Sequence, residues 1–157
     1  MVSLLIRNLF FTILQPGVVV ALVPYLILRY TGREIVPAAW DANHFIGAGL
    51  IVIGVVIALS CIVRFATEGK GTLSPLDPTK KLVIRGLYKY SRNPMYVGVM
   101  LIMIGETLFY WSLALAIYSA VVFLVFNLFI ILHEEPRCRR DFGDEYAEYC
   151  HRTRRWF

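Results

Sequence analysis

One apolar stretch decides the fold of this chain: VGVMLIMIGETLFYWSLALAIYSAVVFLVFNLFIIL, residues 97–132, with Glu106 as its single charged residue. As one continuous helix the stretch would be about 54 Å long at about 1.5 Å per residue, well beyond a hydrocarbon core of roughly 30 Å. The chain is therefore predicted to fold back on itself within the stretch. Aromatic rings suit the membrane interface and serine is a favoured N-cap, so the predicted turn is Tyr110, Trp111 and Ser112.

Two further apolar segments lie before this stretch. Each is close in length to the roughly 20 apolar residues that cross a bilayer as a helix. We therefore predict an all-α, polytopic membrane protein that forms one domain over residues 1–157. The four predicted transmembrane helices are residues 9–28, 45–63, 94–110 and 113–132.

The composition supports a membrane protein and excludes several other classes. Hydrophobic residues make up 58% of the chain and charged residues 17%, against roughly 45–50% and about 25% in soluble domains. These values argue against a disordered chain, a disulfide-rich scaffold and an ordinary soluble enzyme. Three cysteines without paired spacing predict neither a disulfide framework nor a zinc site, and we expect no metal.

The distribution of basic residues predicts the orientation. The net charge of +5 is interpreted as contact with anionic lipid headgroups and not with nucleic acid. With four spans, fourteen of the sixteen lysines and arginines share the side of the N-terminus, the loop 64–92 and the C-terminal tail. The positive-inside rule then places both termini and the loop in the cytoplasm, and we expect a bacterial or archaeal inner or plasma membrane. The tail is predicted as an amphipathic helix, bent near Gly143.

The segment RNPMY, residues 92–96, enters the third span from the basic side. Asn93 is a favoured N-cap and Pro94 a favoured first helical residue, so the segment is explained as a helix start, with Arg92 reaching the headgroups and Tyr96 in the aromatic belt. A ligand site is the second interpretation. A helix N-terminus offers unpaired N–H groups and partial positive charge to a carboxylate or phosphate, and Arg92 would reinforce it.

The second notable segment is HEEP, residues 133–136, where the fourth span is expected to end. Glu134 and Glu135 would oppose the dipole at a helix C-terminus and repel each other, so they require a compensating positive charge. One interpretation is pairing with Arg137, Arg139 or a loop lysine. The other is a positively charged ligand.

Glu106 is the one carboxylate inside the predicted third span. Ionisable residues within a membrane are costly and are functional hypotheses by default. The alternatives are a polar contact between helices and a position close enough to the outer interface to be hydrated.

These segments belong to a longer pattern. GTLSPLDP (71–78), LVIRGLYKYSRNPMYVG (82–98), and a tail with EEP (134–136), FGDEY (142–146) and Arg155-Trp156 resemble the isoprenylcysteine carboxyl methyltransferase family in its bacterial type. The Asn-Pro-Met-Tyr and Glu-Glu-Pro pieces are also similar to membrane phospholipid N-methyltransferases. The resemblance covers roughly residues 68 to 157.

The resemblance implies S-adenosylmethionine as methyl donor, a cofactor region over about residues 68–98 and 133–157, and a site open to the lipid bilayer for a lipophilic acceptor. It implies that the donor carboxylate lies at the start of the third helix and that its ammonium, sulfonium or ribose hydroxyls contact the two glutamates. Tyrosines are then placed against the adenosyl part, and a loop glycine permits close backbone approach. The implied cofactor residues are Gly86, Tyr88, Arg92, Asn93, Pro94, Tyr96, Glu134 and Glu135.

Departures from the family pattern leave the acceptor and the catalytic residue open. Eukaryotic members have His where this chain has Asn93, so Asn93 is expected to position the cofactor and not to act as a base. Candidate catalytic residues are Glu135 and Arg92, and Glu106 is a further candidate base for an amine or hydroxyl acceptor. The alternative function is a membrane lipid reductase or a non-enzymatic membrane protein of the same architecture. Paired glutamates argue against a reductase because they would repel dinucleotide phosphates.

Overall fold

The computed structural model describes residues 16–64, 67–68 and 82–156. Within these ranges the chain is helical, without a β-strand beyond one isolated bridge between Ser91 and Arg154, and the all-α prediction is confirmed. The α-helices are α1 (Val23–Tyr30), α2 (Ala42–Arg64), α3 (Pro94–Tyr110), α4 (Leu113–Phe129) and α5 (Glu135–Arg152). Shorter pieces are the π-helical turns Val18–Leu22 and Ile130–Glu134 and the 3-10 helix Gly86–Lys89. Residues 9–15 of the first predicted span and residues 65–66 and 69–81 of the predicted loop lie outside the described residues.

Helices α2 and α3 form a close antiparallel pair because glycines face each other at two levels. A Cβ at Gly47 would lie 2.6 Å from the carbonyl oxygen of Gly105, and a Cβ at Gly54 would lie 2.5 Å from that of Gly98. Only glycine fits at such distances, so the two backbones approach as small residues allow between helices in lipid.

The predicted turn between the third and fourth helices is present. Trp111 follows α3 in a left-handed conformation, with a φ of 45°. Ser112 is the N-cap of α4, and its hydroxyl accepts a hydrogen bond from the backbone N–H of Leu115 at 3.4 Å. The long apolar stretch therefore folds back as two helices of 17 residues each.

The exterior of the helices is apolar. Two helical stretches of the described chain, Ala42–Arg64 and Leu113–Arg152, are long and apolar enough to cross a membrane, and Val18–Tyr30 and Pro94–Tyr110 are apolar but shorter. Large apolar side chains are exposed on α2 and α4; Val56 is 60% and Leu128 58% exposed. Exposed side chains of this kind are stable in lipid and costly in water, so this exterior is consistent with a membrane protein.

The region after the fourth predicted span differs from the prediction. Glu134 and Glu135 do not end a helix, because the chain continues from α4 through the π-helical turn Ile130–Glu134 into α5. Pro136 lies in the first turn of α5, and the wider π-helical turn before it accommodates the proline ring without ending the helix. The two glutamates therefore lie within one helical stretch, Leu113–Arg152, and not at a helix C-terminus where they would oppose the dipole.

Helix α5 bends at Gly143, as predicted, where φ is 50° and ψ is −123°. The bend separates an arginine-rich first half from a second half that carries Tyr146 and Tyr149. Both tyrosines are buried, at 5% and 9% exposure. The second half of α5 therefore packs back onto the protein and brings the end of the chain towards the start of α3.

Candidate active site

The 3-10 helix Gly86–Lys89 leads the chain into α3. Gly86 has a φ of 61°, and a Cβ there would overlap the guanidinium of Arg64, so this position requires glycine. Tyr88 is 5% exposed and packs with Cys61 and Val83 near the end of α2. Gly86 and Tyr88 thus pack against the end of α2, and their contact with a cofactor stays a prediction.

Residues 153–156 form what we call the C-terminal clasp, because they run alongside the entry to α3. The hydroxyl of Ser91 and the side-chain amide of Asn93 both donate to the carbonyl oxygen of Arg155, at 3.2 and 3.0 Å. The indole N–H of Trp156 donates to a side-chain amide oxygen of α4 at 3.3 Å. The clasp thus ties the end of the chain to both α3 and α4.

Asn93 is the N-cap residue of α3, as predicted, but its side chain does not cap the helix. No side-chain hydrogen bond caps α3, because the amide of Asn93 is held by the clasp. Pro94 follows as the first residue of α3 and is buried. The backbone N–H groups of the first turn are those that an α-helix leaves without an internal acceptor, so the start of α3 keeps the partial positive charge predicted for it.

Glu135 lies at the centre of the site, 8% exposed. Arg155 binds it with both arms of its guanidinium, from Nε to Oε1 at 2.8 Å and from a terminal nitrogen to Oε2 at 2.9 Å. Arg92 approaches Oε1 at 3.4 Å. These two ion-pair partners of Glu135 are distant in sequence. Of the neighbouring arginines that one interpretation named, Arg139 adds a smaller electrostatic contribution that also lowers the pKa of Glu135.

Arg92 has hydrogen-bonding capacity that the described residues do not use. One terminal nitrogen contacts Cys150 Sγ and the other approaches Glu135. Its Nε is buried and finds no acceptor among the described residues. Arg92, Arg155 and Glu135 together carry one more positive than negative charge, which favours an anion at this point.

Glu134 points to a different environment from its neighbour. Its Oε1 accepts a hydrogen bond from the hydroxyl of Tyr96 on α3 at 2.9 Å. The ring of Tyr96 packs edge-on against Phe126 of α4, with ring centroids 4.7 Å apart. The adjacent glutamates therefore divide their contacts, Glu135 with two arginines and Glu134 with a tyrosine.

The surroundings shift the two carboxyl groups in opposite directions. Burial raises the pKa of Glu134 above its ordinary value, and the hydrogen bond from Tyr96 and the charge of Arg137 offset only a part of this rise. Burial also acts to raise the pKa of Glu135, but the hydrogen bond and charge of Arg155 and the charge of Arg92 outweigh it and leave the pKa lowered. Glu135 is thus a firmly ionised structural acid, whereas Glu134 can change its protonation more easily.

Two other features lie away from this site. Glu106 is on α3 roughly 18 Å from Pro94 at about 1.5 Å per residue, and its Oε2 is buried without a partner among the described residues. A cavity of about 500 Å³ opens at the opposite end of the helices, where the residues after α1 meet the turn at Trp111. Neither feature adds a side chain to the cluster around Glu134 and Glu135.

The prediction from sequence missed several residues that build the site. Ser91 is fully buried, and the hydroxyl of Tyr149 donates to the carbonyl oxygen of Tyr88 at 2.6 Å. Arg155 had a signal, since Arg155-Trp156 is part of the family pattern, but the pattern does not name its partner. Only the tertiary contact shows that it pairs with Glu135.

Comparison with known proteins gives the class first. The profile of a family described as phospholipid methyltransferase matches residues 42–145, so the chain belongs to the phospholipid methyltransferase family. It is also 28% identical over 118 residues to Protein-S-isoprenylcysteine O-methyltransferase B of Arabidopsis thaliana. The matched region covers 73% of this chain and 58% of the Arabidopsis protein. The resemblance read from the motifs is confirmed.

A second relative is an uncharacterized protein of Haemophilus influenzae, 40% identical over 63 residues, which cover 40% of this chain and 98% of that protein. The chain spans little more than half the length of the Arabidopsis relative. No solved structure matches the chain.

Proposed function

We propose that the protein is an integral membrane methyltransferase that uses S-adenosylmethionine and acts on a lipophilic acceptor. The acceptor is the carboxylate of a prenylcysteine-like compound or another lipid group. Membership of the phospholipid methyltransferase family supports methyl transfer, and the name of the Arabidopsis relative, an O-methyltransferase, supports an oxygen acceptor. The apolar exterior supports an acceptor that arrives through the bilayer.

The observation that carries the proposal is that an acid, Glu134, and an arginine with an unused donor, Arg92, both lie near the start of α3. The amino-acid end of the donor has an ammonium and a carboxylate. Glu134 is a partly buried acid with a tyrosine as its hydrogen-bond donor, which fits the ammonium. Arg92 has a buried Nε that needs an acceptor, which fits the carboxylate, and the first turn of α3 lies beside it.

Each residue of the cluster then has a defined task. When bound, the donor supplies an electrophilic methyl group on its sulfonium. Arg92 and the N–H groups of the first turn of α3 bind the donor carboxylate, and Glu134 binds the ammonium. Glu135 binds Arg155 and is not the base, because both of its oxygens accept hydrogen bonds from Arg155.

Little acid–base chemistry is needed if the acceptor is a carboxylate. Its oxygen is already ionised, so the protein's contribution is to align the reacting groups and to exclude water. The location between α3, α4 and the start of α5 suits this task, since Tyr96 and Phe126 form an apolar wall beside Glu134. An amine or hydroxyl acceptor requires a proton acceptor, and Glu134 is the carboxyl of the cluster not bound by arginine.

The proposed membrane arrangement has four spans, with both termini and the site on the cytoplasmic side. The spans are residues 9–28, 45–63, 94–110 and 113–132, so Glu134 and Glu135 lie just outside the fourth. The 14 to 2 division of basic residues supports this orientation.

Calorimetry on the purified protein in detergent tests the proposed cofactor. S-adenosylhomocysteine, the demethylated product, is expected to bind at least about tenfold more tightly than NADPH, because the acid at Glu134 repels phosphate. Binding of NADPH without a signal from S-adenosylmethionine or S-adenosylhomocysteine would overturn the proposal in favour of a reductase.

A further inference from the structure

The C-terminal clasp holds Arg155 so that its guanidinium meets both oxygens of Glu135. Two hydrogen bonds fix the carbonyl of Arg155 to Ser91 and Asn93, and the next residue, Trp156, is tied to α4. The side chain of Glu135 is only 11% exposed. The guanidinium is therefore held in a defined position by the backbone contacts of the clasp, and bidentate pairing of this kind is specific in geometry as well as strong.

This pairing leaves Arg92 in an unusual state. Oε1 of Glu135 already accepts a hydrogen bond from Arg155 at 2.8 Å, so Arg92 is left at 3.4 Å from it. The side chain of Arg92 is only 13% exposed, and its Nε has no acceptor among the described residues. A buried N–H donor without an acceptor is costly unless a ligand supplies one.

We propose that Arg155 is a positioning residue that saturates Glu135 and thereby keeps Arg92 available for the carboxylate of the methyl donor. The inference rests on the proposed function. Arg155 does not touch the donor; it acts by occupying the carboxylate that would otherwise pair fully with Arg92. The C-terminal clasp is in this way a working part of the donor site and not only a surface segment.

Removal of Arg155 has a specific consequence. Glu135 then loses both of its short hydrogen bonds and has Arg92 as its nearest cation, so Arg92 turns from the ligand towards Glu135. The loss falls on the carboxylate of the donor and not on its ammonium, which Glu134 binds. A merely structural role would weaken the binding of every ligand alike.

Calorimetry with two ligands separates these roles. The first ligand is S-adenosylhomocysteine, and the second is its decarboxylated analogue, which keeps the ammonium and lacks the carboxylate. Arg155→Ala is expected to weaken the binding of S-adenosylhomocysteine by about tenfold or more, the effect of one lost hydrogen bond to a charged group. It is expected to weaken the binding of the decarboxylated analogue by less than about threefold. Arg155→Lys keeps the positive charge but cannot form the bidentate pair, so its affinity for S-adenosylhomocysteine is expected to lie between those of Arg155→Ala and the unmodified protein.

Arg152→Ala is the matched control. It removes an arginine at the end of α5 that pairs on the surface with Glu148, and both affinities are expected to stay unchanged. Thermal unfolding in the same detergent shows whether each variant is folded, and Arg155→Lys decides the question if Arg155→Ala does not fold.

The outcomes distinguish this inference from the proposed function. If the unmodified protein binds neither ligand, the proposed function is wrong, and the role given to Arg155 falls with it. If the unmodified protein binds both and a folded Arg155 variant weakens them equally or not at all, the proposed function stands and the role of Arg155 is overturned.

Discussion

Glu134→Gln is the sharpest test of the donor site, because the substitution keeps the shape of the side chain and removes one negative charge. Glu134 is partly buried, directly before α5, and has the Tyr96 hydroxyl as its hydrogen-bond donor at 2.9 Å. A hydrogen bond between charged groups contributes about 1.5–3 kcal/mol. At about 1.4 kcal/mol per factor of ten, binding of S-adenosylhomocysteine is expected to weaken by about 10- to 150-fold.

The pH dependence of the same group gives an independent check. Burial raises the pKa of Glu134 in the folded protein, so between the ordinary carboxyl range and the raised value the folded state holds more protons than the unfolded state. The stability of the ligand-free protein therefore falls as pH rises through the raised pKa. The affinity for a cationic ammonium rises over the same interval, because the carboxylate becomes ionised.

Calorimetry and thermal unfolding across a pH series measure both effects. Glu134→Gln is expected to flatten both pH profiles, while Glu148→Gln, an exposed acid on α5 that pairs with Arg152, leaves them unchanged. The reasoning is refuted if Glu134→Gln folds and binds S-adenosylhomocysteine as the unmodified protein does.

Three further predictions concern the membrane domain. Gly54→Ala is expected to destabilise the protein by about 1–3 kcal/mol, the usual cost of overpacking, because the added Cβ meets the Gly98 carbonyl. Gly49→Ala is the control, because Gly49 has open space around it. Equal thermal unfolding temperatures of the two variants would contradict the close packing of α2 and α3. Glu106→Gln is expected to change the affinity for S-adenosylhomocysteine by less than about twofold, since Glu106 lies roughly 18 Å along α3 from the site. Loss of binding in a calorimetric titration would show that the proposed site is at the wrong depth in the membrane. Reporter fusions at the C-terminus and within residues 29–44 are expected to show opposite sidedness, and the same sidedness at both would exclude four spans.

Much of the fold could be predicted from local properties of the chain. The length of the stretch over residues 97–132 forces a turn, because one helix of that length does not fit a bilayer, and the structure places the turn at Trp111 and Ser112. The bend at Gly143 is likewise local. The close approach of α2 and α3 had a usable signal, glycines seven residues apart in each helix, but their partners are set by packing.

The sequence by itself determined the helical class, the family and the two segments that meet at the candidate site. The length of the apolar segments, the distribution of charge and the order of the motifs depend on residues that are close in the chain, so they can be read from the sequence without a structure. The tertiary structure alone decided which charges meet. Glu135 pairs with Arg155 across 20 residues of chain, and Asn93 binds the clasp where a capping bond was predicted. Such pairings depend on the bend of α5 and on the path of the last residues, and every arginine near Glu135 in sequence is an equally good partner until the chain is folded.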